Sequence, residues 1–176
     1  RWNLRMKAAE RGIWKSTDAG ANWEKLTSGL PGGDMGGIGI AISPVNPDYI
    51  YAIIEAAGET GGFFRTTDRG ASWSKMSGHT AQGQYYNEIY CDPKDIDKVY
   101  SVETFSQFTV DGGKTWKNVS TKHRHVDDHA MWIDPSNTKH YLIGGDGGIY
   151  ETWDGGNDFH FKNNLPVTQF YRVNVD

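Results

Sequence analysis

Cysteine is almost absent from this chain. The one residue, Cys91, excludes an intrachain disulfide, and its apolar run (Glu88-Ile89-Tyr90-Cys91) suits a buried, inert thiol. Basic charge is not in excess either. Eighteen Lys and Arg face 22 Asp and Glu, a net charge of −4, so the chain carries no electrostatic footprint for nucleic acid. No apolar run approaches the roughly 18 residues of a membrane span. The sequence starts at Arg1 with neither Met nor a signal peptide and reads as a piece of something longer. What is plentiful is glycine, 22 residues, and aromatic side chains, 13%. Both suit many short strands joined by tight turns.

One eight-residue pattern occurs four times: a hydroxyl residue, any residue, Asp, any residue, Gly, two of any kind, then an aromatic. The copies are STDAGANW (16–23), TTDRGASW (66–73), TVDGGKTW (109–116) and TWDGGNDF (152–159). Their aspartates, Asp18, Asp68, Asp111 and Asp154, are spaced by 50, 43 and 43 residues. That period signals a repeat architecture. A second motif lies between the copies: IAISPVNPDYIYAI (40–53), IYCDPKDIDKVYSV (89–102) and MWIDPSNTKHYLIG (131–144). Each is an apolar strand, an Asp/Ser-Pro turn and a second strand. Pro44, Pro93 and Pro135 pre-set φ for the turn and stop the first strand, since proline cannot donate to a ladder. A third strand runs into the eight-residue motif and a fourth follows its aromatic.

Four antiparallel strands per repeat, with turn signals between them, predict an all-β fold, a β-propeller of four-stranded blades. The expected full blades are residues 36–77, 87–120 and 129–162. Residues 12–27 supply strands three and four of a partial blade. Residues 170–176 read as the first strand of another, because Asp176 falls 42 residues after Asp134. The chain is thus expected to be a single partial propeller domain over 1–176. Either a larger propeller is truncated, or the two partial ends complement each other into a four-bladed ring.

Every part of the motif has a structural job at the hairpin between strands three and four. The Asp accepts hydrogen bonds from turn amides. The Gly supplies positive φ. The aromatic folds back between sheets, burying about 150–250 Å² for at most about 4–6 kcal/mol. A calcium loop needs more carboxylates at alternate positions, and STDAGANW has none.

The motif resembles the Asp-box, or bacterial neuraminidase repeat (BNR), and four copies in one strand context make the resemblance cover nearly the whole chain. Families that carry it include sialidases, sortilin-type receptors, xyloglucanase-type endoglucanases and a photosystem assembly factor. The segment 127–156, followed by NLPVTQFYRVNVD, is most similar to bacterial secreted sortilin-like or glycosyl-hydrolase-like proteins. The resemblance implies a secreted, periplasmic or cell-surface location. A WD40 propeller is excluded, since Trp153-Asp154 lies inside an eight-residue motif and no Gly-His partner recurs. Sialidase chemistry is excluded too. It needs three arginines gripping a carboxylate, and Arg65 and Arg69 flank a motif on the wrong face.

In a propeller the turns joining strands two to three and four to one share the face opposite the motifs. The residues expected there are Asp34, Met35 and Gly36; Tyr85, Tyr86, Asn87 and Glu88; His125, Asp127, Asp128 and His129; and Gln169, Tyr171 and Arg172. The strand-two-to-three turns add Glu55, Glu59, Glu103 and Asp146. This acidic, aromatic rim suits a protein or polysaccharide ligand, bound by Tyr85, Tyr86, Asn87, Asp127, His129, Gln169, Tyr171 and Arg172. Within HRHVDDH (123–129), His125, Asp127 and His129 alternate as on a strand and form a candidate site for zinc or a similar ion. A hydrogen-bonded polar loop is the alternative.

GGDGGIYETWD (144–154) resembles a xyloglucanase-type stretch whose aspartate is catalytic, which implies that role for Asp146. A glycosidase needs two carboxyls flanking the scissile bond. Asp128, Asp127 and Glu103 are the candidates for the second, with Asp128 taken as the partner. In that family the second carboxylate comes from a second propeller, and a Gly-Asp-Gly-Gly turn is also a plain hairpin. The leading expectation is a non-catalytic ligand-binding module without a cofactor. The alternative is a glycoside hydrolase fragment using paired carboxylates.

Overall fold

The Asp/Ser-Pro turns hold their own backbone. Asp92 Oδ1 accepts the Lys94 N–H at 2.9 Å, Asp134 Oδ1 that of Ser136 at 2.7 Å, and Ser43 Oγ that of Val45 at 3.3 Å. Such side-chain caps satisfy turn amides that no strand can reach. In each case the chain then reverses into an antiparallel neighbour. The computed structural model describes residues 10–81, 86–166 and 169–173.

The strands run as one hairpin and three meanders. A two-stranded hairpin, β1 (Trp14–Lys15) and β2 (Glu24–Lys25), comes first. Three four-stranded sheets follow in strict sequence order. The first holds β3 (Met35–Ile42), β4 (Ile50–Ala56), β5 (Gly62–Thr66) and β6 (Ser74–Ser77). The second holds β7 (Glu88–Cys91), β8 (Val99–Val102), β9 (Gln107–Thr109) and β10 (Lys117–Asn118). The third holds β11 (Asp128–Ile133), β12 (Tyr141–Gly145), β13 (Gly148–Thr152) and β14 (His160–Phe161). No α-helix occurs among the described residues, and none of their helices is long and apolar enough to cross a membrane. β3 lies against β7, and β7 against β11, so the first strands of successive sheets are neighbours, as in blades set around an axis.

The core lies between blades. Alternation along each strand sends successive side chains to opposite faces. Val99 therefore joins Tyr51, Ile53, Phe63 and Ile89 on one side of the second sheet. Tyr100 and Val102 join Met131, Tyr141, Ile143 and Phe159 on the other. Met35, Ala52, Ile54, Phe64 and Trp73 pack with Ile13 of the initial hairpin.

The four eight-residue motifs share one geometry at the strand-three-to-four hairpin. The hydroxyl donates to the aspartate Oδ1 at 2.6–2.8 Å, from Ser16 to Asp18, Thr66 to Asp68, Thr109 to Asp111 and Thr152 to Asp154. It accepts the glycine N–H at 2.8–3.1 Å. The same Oδ1 accepts the amide four residues on, from Asn22, Ser72, Thr115 and Asp158. These bonds favour the carboxylate. The backbone and side chain of Asn22 hold Asp18 down to about 2, and Ser72 and Thr66 hold Asp68 there.

The motif aromatic of each later blade packs on the blade before it. Trp116 meets the edge of Phe63 at 4.9 Å and donates to Ser77 Oγ at 3.2 Å. Trp73 and Phe159 are buried at 5% and 2% exposure, but Trp23 is 60% exposed. The expectation that all four fold between sheets fails at Trp23, because no described blade precedes its hairpin. The expected strand at 170–176 is not seen over 170–173, and 174–176 lie outside the described residues. Phe170 lies on the third sheet instead, its N–H donating to Gly145 O at 3.1 Å.

Candidate ligand-binding face

Two local irregularities build the site at the start of β11. Asp127 has φ of +74°, a left-handed conformation uncommon outside glycine but more accessible to aspartate than to most residues. It is held by its N–H to Thr104 O at 3.0 Å and by its carbonyl, which accepts the Asp146 N–H at 3.1 Å. Gly145 lets those chains meet, since a Cβ there would sit 2.1 Å from the Asp127 carbonyl oxygen. The β11–β12 register then slips between Asp128 and Ala130, leaving His129 as the extra residue of a bulge. Bulges re-aim a side chain, and this one presents His129 at the turn face.

His129 is stacked between two tyrosines. Its ring centroid is 5.5 Å from that of Tyr86, with 7° between the planes, and 4.3 Å from that of Tyr171, with 24°. Its Nε2 donates to Asp146 Oδ1 at 3.1 Å, and Asp127 Oδ1 stands 4.0 Å away. The Tyr86 hydroxyl donates to Asp127 Oδ1. Three successive strand-four-to-one segments thus supply Tyr86, Asp127 and Tyr171, and the start of β11 supplies His129. The two-residue β12–β13 turn supplies Asp146.

Beneath the stack lies a buried anchor. Arg124 Nη1 reaches Asp128 Oδ1 at 2.6 Å and Oδ2 at 2.7 Å. Ser106 Oγ donates to Asp128 Oδ2 at 2.6 Å. Arg124 Nε donates to Ser120 O at 2.7 Å, and its guanidinium lies 5.0 Å from the Phe159 centroid. Burial pushes the Asp128 carboxyl upward against the opposing pull of Arg124 and Ser106. Asp128 was expected to offer a reactive carboxylate. It is 2% exposed and occupied on both oxygens, so its role in this geometry is structural. Ser106 lies in no motif, and Arg124, although inside HRHVDDH, carries no mark of its pairing with Asp128. Only the fold brings a strand-two-to-three turn against the loop entering β11.

The other expected residues spread around this centre. The expected alternation of His125, Asp127 and His129 does not produce a ligand set. The left-handed Asp127 and the bulge break the period of two, and His125 Nδ1 turns to Val126 O. Among the described residues no group of three His, Cys, Asp or Glu could hold a metal ion. Asn87 lies across the first sheet, where a Cβ on Gly37 would meet its amide at 2.1 Å. Arg172 lines a pocket with Asn87, Glu88, Tyr90, Ile38 and Ile40. Gln169 is exposed, and Tyr85 lies outside the described residues. Glu55 Oε2 accepts the Gly37 N–H at 3.2 Å, while Glu103 and Met35 are buried. Asp18, Asp68, Asp111 and Asp154 occupy the opposite strand ends.

No protein-family model matches the chain, and no curated protein matches it. Its fold is similar to solved structures. The GH74 xyloglucanase from Xanthomonas campestris superposes with a TM-score of 0.63 at 18% identity, over 91% of this chain and 28% of that one. The GH74 enzyme of Niastella koreensis gives 0.59 at 15%, over 88% and 26%. YCF48 bound to D1 peptide gives 0.57 at 15%, over 87% and 47%. The chain spans only a part of each. Identity this low establishes the fold alone: an all-β propeller of four-stranded blades.

Proposed function

We propose that this chain is part of a non-catalytic, Asp-box (BNR) repeat propeller of the sortilin-like kind, from a secreted or periplasmic bacterial protein. It binds a protein or glycan at the face carrying Asp127, His129 and Asp146. The observation that carries this reading is the Tyr86–His129–Tyr171 stack, tied at one imidazole nitrogen to Asp146 with Asp127 close by. Aromatic faces with hydrogen-bonding groups at their rims suit sugar rings and peptide side chains alike. Asp146 is engaged by the His129 imidazole and Asp127 by the Tyr86 hydroxyl, which supports a binding role over that of a carboxylate pair flanking a scissile bond. The peptide-bound YCF48 structure is one fold neighbour, which supports a protein partner.

The test is binding of the chain to peptide and oligosaccharide panels, before and after Tyr171→Ala. Saturable binding that the substitution abolishes supports the reading. Binding unchanged by Tyr171→Ala moves the site elsewhere. The alternative, a glycoside hydrolase fragment, draws on Asp127 and Asp146 both lying within 4.0 Å of one imidazole nitrogen. It predicts hydrolysis of xyloglucan or β-glucan oligosaccharides that is lost in Asp146→Asn.

A further inference from the structure

The repeat provides an internal control for one titratable residue on the motif face. In each blade a residue at the end of the strand-one-to-two turn gives its carbonyl to the Asp/Ser that opens the turn. Ser43 N–H donates to Tyr49 O, Asp92 N–H to Lys98 O, and Asp134 N–H to His140 O, at 2.9, 2.9 and 3.0 Å. The backbone is the same and the side chains differ. In the second blade Lys98 Nζ pairs with Asp92 Oδ2 at 3.1 Å. In the third blade the equivalent cation is an imidazole.

His140 has a carboxylate on each nitrogen. Nδ1 is 3.0 Å from Asp134 Oδ2 and Nε2 is 3.0 Å from Glu151 Oε1. A neutral imidazole carries one N–H and one lone pair, so one of these contacts would set a lone pair against a carboxylate. The imidazolium satisfies both. The ring also stacks on Trp153, centroids 3.5 Å apart and 5° from parallel, and faces the edge of Trp132 at 5.7 Å. An aromatic face attracts a cation. Lys162 Nζ pairs with the other Glu151 oxygen. Asp134, Glu151 and Lys162 are the charged groups with contacts around the ring. Neighbouring Lys139 runs its stem toward Gly155, and the Asp154 carboxylate is engaged in its own hairpin. One ring thus links the turn after β11, strand β13 and the motif hairpin.

We propose that His140 is a pH-dependent clasp of the third blade, closed while its imidazole is charged and released when it loses its proton. In the second blade Lys98 makes the corresponding link to Asp92. Burial pulls the His140 value down, but the bonds and charges of Asp134 and Glu151 outweigh it, and the net shift is upward from 6.5. A raised histidine contributes stability that is complete below the unfolded value and is lost as pH rises through the folded value.

The test is a ring-nitrogen NMR titration of His140 in the 176-residue chain, with thermal melts of wild type, His140→Lys and His140→Gln across neutral to alkaline pH. His140 should titrate above 6.5, and the midpoint should drop in Glu151→Gln. The wild-type melting temperature should fall with rising pH, while that of His140→Lys stays level and that of His140→Gln is low throughout. A neutral imidazole at pH 6.5 overturns the proposal, whatever the variants do. So does a wild-type profile parallel to that of His140→Lys.

Discussion

Arg124 Nη1 bridges the two oxygens of the Asp128 carboxylate, at 2.6 and 2.7 Å, with side chains 0% and 2% exposed. The pair ties the loop entering β11 to the first residue of that strand, directly beside Asp127 and His129. It is the foundation on which the stacked site stands. Arg124→Met leaves a buried carboxylate without its partner, a loss of about 3–5 kcal/mol. Replacing both, as Arg124→Met with Asp128→Leu, should recover most of that stability, because the uncompensated charge is gone. Urea denaturation of the two variants checks this. A double variant no more stable than the single one counts against it.

The motif hydroxyls are central to their hairpins. Thr109 is 1% exposed, donates to Asp111 at 2.7 Å and accepts from Gly113 N–H at 2.9 Å. Thr109→Ala leaves a buried amide unpaired and should destabilise by about 1–3 kcal/mol. Thr109→Ser keeps the hydroxyl and should retain most of the stability. Equal losses in the two variants would assign the effect to packing.

Gly113 combines two constraints. Its φ is +94°, and a Cβ built on it would lie 2.2 Å from the Phe63 ring of the preceding blade. Gly113→Ala therefore strains the hairpin and pushes the second blade off the first, and should cost at least about 1–3 kcal/mol. Loss of the near-ultraviolet signal from the Phe63–Trp116 contact should accompany it.

The motif aspartates make the fold acid-sensitive. Asp68 is held down to about 2 from 3.8 by its bonds to Ser72 and Thr66. A depressed carboxyl contributes stability that is present above the unfolded value and lost as pH falls through the folded one. Unfolding should set in between 3.8 and about 2, read by tryptophan fluorescence. Asp68→Asn should be less stable at pH 7 and show a smaller further loss on acidification. An undiminished acid transition in that variant would assign the transition to other groups.

Much of the architecture was legible in the chain. The spacing of Asp18, Asp68, Asp111 and Asp154 set the blade period, and Pro44, Pro93 and Pro135 marked where first strands end. Both signals are local. A hydroxyl, an aspartate and a glycine within five residues make the same hairpin wherever they occur. The site was legible only as a catalogue of residues near strand ends. His125, Asp127 and His129 looked like one face of a strand. The left-handed Asp127 and the bulge at His129 removed that equivalence, and neither leaves a mark in residue order. Asp128 looked as available as Asp127 until Arg124 and Ser106 met it in the interior.

The amino-acid sequence by itself determined the repeat, the strand order within each blade and the face on which the motif aspartates lie. Each of these follows from contacts between residues close in the chain. The tertiary structure alone decided that Tyr86, His129 and Tyr171 stack, that Asp146 takes the imidazole, and that Trp23 stays exposed while Trp73 and Phe159 are covered. Those outcomes depend on how neighbouring blades pack and how a bulge turns one side chain, so segments about 40 residues apart must meet in space before they are settled.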